Sequence, residues 1–368
     1  MNIERAELIH LSMPLVSSFK TSFGVEKQRD CILVKLYSEG LVGVGECVAS
    51  QLPGYSYETV WTAWEMMARF FIPRLLELSA VEVNSFRDGI QEFKGFPMAR
   101  AGIEMALWDL AGKRTQSSLR DLLAGQIGSV AVGVSVGIQP SPEALVETVG
   151  RYVDAGYQRV KLKIEPGRDV AEVRAVRDAY PKLALQVDAN SAYTLSQSQP
   201  ILALDEYELL LIEQPLAEDD LIDHSQLQKK LQTPICLDES ILSLEHTRKA
   251  LEIDAGRIIN IKAGRVGGLT EAVAIHNLCY ARGVPVWCGG MLETGVGRAA
   301  NLALASLPGF SLPGDISATD RYYQTDITQE QFQLNKNSTI DVPVGPGLGI
   351  RLDEERVEMF RQRSAAFP

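Results

Sequence analysis

Histidine and cysteine are scarce in this chain, at four and five residues in 368, and neither set has the spacing of a working site. The cysteines, Cys31, Cys47, Cys236, Cys279 and Cys288, are odd in number and never stand as C-x-x-C. That argues against a disulfide framework and a thiolate zinc site, and reads as reduced core thiols of a cytoplasmic protein. His10, His224, His246 and His276 follow no ligand spacing; the last three fall on expected helices and read as structural. No apolar run reaches the length of a membrane span, and the N-terminus is not a charged segment followed by an apolar one. Neither a span nor a signal peptide is expected. Basic runs are missing too: 36 Lys and Arg face 47 Asp and Glu, a net charge of −11, which argues against nucleic acid as a partner.

What is present is a series of strand-like runs that end in functional groups. Arg159-Val160-Lys161-Leu162-Lys163-Ile164-Glu165 alternates basic and apolar residues with the period of a strand. Lys161 and Lys163 then share one face, and two ammonium groups facing an interior are costly unless something uses them. Downstream, Leu185-Gln186-Val187-Asp188, Leu210-Leu211-Ile212-Glu213, Ile235-Cys236-Leu237-Asp238 and Ile259-Asn260-Ile261-Lys262 each end in a charge. The steps from Lys163 to Asp188, Glu213, Asp238 and Lys262 are 25, 25, 25 and 24 residues. One strand, one crossover helix and two loops fill such a step, and functional groups at strand C-termini are the mark of a (β/α)-barrel. The length suits a barrel plus a further domain, and a hydrophobic content of 46% permits a large core.

In chain order, residues 3–13 and 30–37 read as strands, and Gly40 marks a hairpin turn between Asp30–Tyr37 and Val42–Val48. A loop, Phe19-Lys20-Thr21-Ser22-Phe23-Gly24, is expected between the first two strands, and another, Ser50-Gln51-Leu52-Pro53-Gly54-Tyr55, after Glu46-Cys47. Their aromatics suit a substrate lid or mere local packing. Residues 57–125 read as helices, with Met98–Ala111 a buried packing helix. The N-terminal domain thus covers 1–125 and the barrel 126–320. Strands at Val132–Ile138, 159–164, 184–188, 208–213, 234–238, 257–262 and 284–288 alternate with helices at 141–155, 169–179, 197–205, 219–230, 243–252, 268–281 and 295–306. An apolar run near 310–316 closes the barrel. Residues 321–368, a Gly/Pro-rich piece followed by a polar helix, are expected to fold back onto the N-terminal domain.

Asp188, Glu213 and Asp238 would point three carboxylates into one barrel mouth, where they repel unless a cation sits among them. Oxygen-only ligands suit a hard divalent ion, Mg²⁺ first, with Mn²⁺ as a workable substitute. Asn190 and Glu239, two and one residues past a ligand, suit supporting or substrate contacts. Lys163 and Lys262 lie on opposite sides of the proposed metal. A divalent ion and a neighbouring ammonium depress a lysine's pKa, which makes a general base for the α-proton of a carboxylate held at the metal. Lys161 would hold that carboxylate or keep Lys163 deprotonated. Arg265, three residues past Lys262, reads as a surface or carboxylate-neutralised arginine, or as a cation that lowers the pKa of Lys262. A barrel with only a binding or structural role would be expected to have lost a ligand or a lysine, and none is missing.

Lys161-Leu162-Lys163, Asp188, Glu213, Asp238-Glu239 and Ile261-Lys262-Ala263-Gly264-Arg265-Val266-Gly267-Gly268 resemble the enolase superfamily, muconate-lactonizing subgroup. Within it, Gly45-Glu46-Cys47-Val48-Ala49, Pro53-Gly54-Tyr55 and Gly289-Gly290-Met291-Leu292-Glu293-Thr294-Gly295 resemble the o-succinylbenzoate synthase/N-succinylamino acid racemase family. The resemblance covers essentially the whole chain. It implies an α/β fold, a (β/α)7β TIM-like barrel under an α+β capping domain that supplies the two loops. It implies a succinyl and side-chain pocket lined by Ser135, Gly290, Met291 and Leu292 with Phe19, Phe23 and Tyr55.

Two reactions on one site follow from the resemblance. In the synthase, a lyase of menaquinone biosynthesis, Lys163 removes the proton α to the carboxylate of a cyclohexadiene precursor. Protonated Lys163 then helps water leave from the same face, while Lys262 stays cationic. In the racemase, Lys163 and Lys262 exchange roles across the two faces of an N-succinylamino acid. The synthase is the first expectation and the racemase the alternative. A dipeptide epimerase or muconate cycloisomerase would keep the same metal and lysine residues and ranks below. The expected partner is a small carboxylate with a succinyl group, without nucleic acid or membrane, and a homo-oligomer is expected.

Overall fold

In the computed structural model, which describes residues 1–368, the run Asp30–Tyr37 lies inside a longer strand. Strands β1 (Arg5–Thr21), β2 (Gly24–Ser38) and β3 (Leu41–Cys47) form an antiparallel meander. The near-continuous burial of β2 has a simple cause: both its faces are covered. Ile32, Val34 and Leu36 enter a core under the N-terminal helices, whereas Cys31 and Leu33 enter the large core shared with the barrel. Each fully buried aliphatic side chain of this kind contributes roughly 1.5–3 kcal/mol. The β2–β3 hairpin turns at Glu39 and Gly40, with φ of 51° and 78°, the left-handed pair that a two-residue turn requires. Helix Pro97–Thr115 lies against β3 so closely that a Cβ on Gly45 would stand 2.1 Å from the carbonyl oxygen of Gly102.

The segment expected as a loop at 19–24 is instead the end of a hairpin. Phe19 pairs with Glu26 and Thr21 with Gly24, which leaves Ser22 and Phe23 as the turn. The register slips between Pro14 and Phe19, so the period-two pattern that signals a strand is broken there.

The remaining strands are short. They are β4 (Ser129–Ala131), β5 (Val134–Val136), β6 (Arg159–Lys163), β7 (Ala184–Asp188), β8 (Ile212–Glu213), β9 (Ile235–Leu237), β10 (Ile258–Ile261), β11 (Val286–Cys288), β12 (Thr339–Asp341) and β13 (Arg361–Phe367). Strands β5 to β11 form one parallel sheet in sequence order. The apolar run after 310 closes it, with Phe310 bridged to Val286 and Gly314 to Val132. The result is a (β/α)7β barrel. Helices begin where the sequence offers caps: Ser141 accepts from the Ala144 N–H, and Ser243 from the His246 N–H. The helix expected at 197–205 is broken into Leu195–Gln197, Gln199–Ala203 and Leu204–Tyr207, and Pro200 sits in its first turn, where a proline is tolerated. The strand expected at 208–213 shrinks to β8, and Glu208, at a φ of 51°, instead ends the preceding helical turn.

The C-terminal segment ends differently from the polar helix expected for it. Helix Glu354–Phe360 is followed by β13, which pairs antiparallel with β1. Two buried glutamates join the N-terminal sheet and helices to the barrel. Glu46, on β3, accepts from the Thr294 hydroxyl at 2.7 Å and the Gly297 N–H at 2.9 Å, at the start of helix Gly295–Ala305. Glu104 accepts from the Thr270 N–H at 2.8 Å, at the start of helix Leu269–Ala281. No helix is long and apolar enough to cross a membrane.

Candidate active site

The register of the parallel strands brings the charged residues together. Lys163 is registered with Asp188, and Asp188 with Glu213, so one row crosses β6, β7 and β8 at their C-terminal ends. Asp238 follows β9 directly, two residues beyond Cys236, the partner of Glu213. Ligand oxygens of Asp188, Glu213 and Asp238 lie within 4.8 Å of one another, and all three side chains are fully buried. Three oxygen donors at this separation, with no thiolate or imidazole among them, fit a hard divalent cation.

Each lysine contacts this triad. Lys161 lies 2.8 Å from Glu213, 3.1 Å from Asp188 and 2.6 Å from Asp315. Lys163 donates to Asp188 Oδ2 at 2.7 Å and to Asn190 Oδ1 at 2.5 Å. Lys262 donates to Asp238 Oδ2 at 2.7 Å and to the Tyr55 hydroxyl at 3.1 Å. Above them is a cavity between the barrel mouth and the N-terminal strands. Phe19, Phe23, Tyr55, Ser135, Asn190, Gly290, Met291 and Leu292 line it together with Lys161, Lys163 and Lys262. Phe23 also packs locally, its ring 6.4 Å from that of Tyr55, so lining and packing are not alternatives here.

Residues 144–356 match the family described as enolase C-terminal domain-like, and residues 5–124 match the mandelate racemase / muconate lactonizing enzyme N-terminal domain. The chain belongs to this enolase-superfamily group. It is 48% identical to an o-succinylbenzoate synthase from Geobacillus kaustophilus over 100% of this chain and 98% of the relative. It is 46% identical to an N-succinylamino acid racemase from Thermus thermophilus, with both chains fully covered. A crystal structure of an enolase-superfamily member from Listeria innocua superposes with a TM-score of 0.95 at 40% identity, covering 100% of this chain and 99% of the other.

The supporting contacts orient the charged groups of the site. Asn190, at a φ of 44°, uses its backbone N–H to hold Asp188 Oδ1 at 3.0 Å and its side-chain amide to hold Glu239 at 2.8 Å. Burial, then the charge of Asp188, pushes Glu239 up to about 7. Sequence reasoning missed three further supports. Asn260 donates to Glu213 at 2.7 Å, Gln214 accepts from the Asp238 N–H at 2.9 Å, and Asp315 holds Lys161 and Arg159 at 2.6 Å each. The cavity also takes in Thr21 and Ser50, from the two expected loops, and Glu26, Arg29 and Tyr322, none of these three singled out from the sequence.

The carboxylates around the site weigh heavily on two of the lysines. Burial lowers the pKa of Lys161, but Asp315, Glu213 and Asp188 raise it further, and the net shift is upward. Lys262 is likewise lowered by burial but raised on balance by Tyr55, Glu213, Glu239 and Asp188. The carboxylates dominate the field at these ammonium groups. A divalent cation shared by the triad offsets that field, the condition to which a lowered lysine pKa belongs. Arg265 is neither at the surface nor in an open turn. It is 2% exposed, lies in the short helix Ala263–Val266, and meets Asp238 Oδ1 directly.

Proposed function

We propose that this chain is an o-succinylbenzoate synthase, a lyase that removes an α-proton and then water from a cyclohexadiene carboxylate. The observation that carries the reading is the placing of two ammonium groups, Lys163 on β6 and Lys262 just past β10, on one cavity over a buried carboxylate triad. In this reading Lys163 takes the proton α to the substrate carboxylate and returns it to the departing hydroxyl on the same face. Asn190 and Asp188 fix the direction of its Nζ. Lys262 supplies a fixed positive charge, and Lys161, held among three acids, orients the carboxylate end of the substrate.

Asp188, Glu213 and Asp238 would hold the ion, Mg²⁺ in our reading with Mn²⁺ as a substitute. When bound, such an ion polarises the substrate carboxylate and lowers the cost of charge that develops as the α-proton leaves. Ser135, Gly290, Met291 and Leu292, with Phe19, Phe23 and Tyr55, form the walls for the succinyl arm. The reading places the enzyme in the cytoplasm, in menaquinone biosynthesis, as a homo-oligomer. Five buried free cysteines support the reducing compartment.

A second reading, N-succinylamino acid racemase, is favoured by one specific contact: Arg265 competes with Lys262 for Asp238. A racemase needs Lys262 to lose its proton, and a competing guanidinium favours that. The purified protein is assayed on the cyclohexadiene precursor and on N-succinylamino acids, with Mg²⁺ and with EDTA. Metal-dependent turnover of the first supports the synthase, and of both a dual enzyme. Turnover of neither would overturn both readings.

A further inference from the structure

Four cations line the cavity, and Arg29 is the one among them without an acid. Lys161, Lys163 and Lys262 each contact a carboxylate. Arg29 has none within 4.0 Å. It is 2% exposed, and its guanidinium donates to the Ser50 hydroxyl at 2.7 Å and to the Val48 carbonyl. Its Nε has no partner at all. A buried guanidinium with only neutral acceptors and an unused N–H is costly, and the cost is recovered when an anion arrives. Glu26, on the same wall, is the carboxylate whose charge acts most on Arg29, yet the two form no ion pair.

The substrates of the proposed reaction carry two carboxylates. One sits beside the carbon that loses its proton and belongs with the lysines and the acid triad. The other ends the succinyl arm and must be held away from that centre. Ser135, Gly290, Met291, Leu292 and the aromatic residues offer the arm no charge. We propose that Arg29 receives the distal carboxylate of the succinyl arm and thereby sets acyl selectivity, an inference that rests on the reading of function above. A planar guanidinium with a free N–H suits a carboxylate better than an ammonium would.

The test compares o-succinylbenzoate with 2-butyrylbenzoate, in which a methyl group replaces the distal carboxylate. Affinities are measured by calorimetry on the Mg²⁺-loaded protein. Wild type binds o-succinylbenzoate at least about tenfold more tightly, and Arg29→Gln brings the ratio close to one. Arg29→Met gives the same answer should the glutamine variant fail to fold. A wild-type ratio near one, an unchanged ratio in the variants, or an equal loss for both ligands overturns the assignment. Turnover is scored separately: wild type inactive on both substrate classes sinks the function proposed above, while an unchanged affinity ratio sinks Arg29 alone.

Discussion

Arg265 and Lys262 hold the two oxygens of a single carboxylate: the guanidinium takes Asp238 Oδ1, and the ammonium lies 2.7 Å from Oδ2. Both also reach the Tyr55 hydroxyl, at 3.2 and 3.1 Å. Removing the guanidinium leaves the whole charge of Asp238 to Lys262 and favours its ammonium form. Arg265→Gln should therefore slow α-proton exchange on the Lys262 face by about tenfold, the effect of one pKa unit on a base at fixed pH. Synthase turnover, which needs Lys262 only as a cation, should fall less. Solvent-deuterium exchange followed for each enantiomer of an N-succinylamino acid reads the difference, and equal losses everywhere would make Arg265 a packing residue.

Asp238 is also one of the three acids of the triad. Asp238→Asn should weaken Mg²⁺ binding by more than the roughly 10–100-fold that a merely supporting residue costs. Calorimetric titration with Mg²⁺ checks this, together with turnover. Unchanged affinity and turnover would remove Asp238 from the ligand set.

In the proposed reactions the lysines divide the chemistry by face. Lys163→Ala should cost about 10²–10⁴-fold in α-proton exchange, the range of a lost general base. Lys262→Arg keeps a cation that cannot act as a base, so dehydration should persist in part while racemisation is lost. Full activity in Lys163→Ala would exclude the scheme.

Glu46 gives a pH dependence of stability. Burial, the largest influence on it, pushes its pKa up to about 7 from an ordinary 4.5. Between those values the unfolded chain has released the proton and the folded chain still holds it. Rising pH then favours unfolding across this window, by at most about 3 kcal/mol from this one group, and the effect levels off above pH 7. Glu46→Gln cannot titrate, so its stability should fall less steeply between pH 5 and 7. Urea denaturation of both proteins over that range measures it, and parallel profiles would show that Glu46 is already ionised throughout.

The barrel is legible in the sequence because its strand ends recur at a fixed step and its lysines alternate with apolar residues. The supports of the site are legible only in hindsight. Asn260 stands two before Lys262, the same-face spacing of Lys161 and Lys163, but a lone amide in an apolar run announces nothing. Asp315 lies within the closing run, where the step is lost. The β1–β2 arms were hidden by a register slip at Pro14, and Arg29 by its place in a strand whose apolar neighbours Cys31–Leu36 dominate the pattern. Three-dimensional register, not local preference, decides these positions.

The clasps made by Glu46 and Glu104 limit how this architecture can be recombined. Each glutamate belongs to the cover, yet the amides it satisfies open two barrel helices, Gly295–Ala305 and Leu269–Ala281. A barrel expressed without its cover would begin those helices with bare N–H groups. A chimera with a foreign cover would have to import both carboxylates at matching heights. Exchange of covers between relatives, an obvious route to new specificities, is thereby restricted to donors that carry the same two acids.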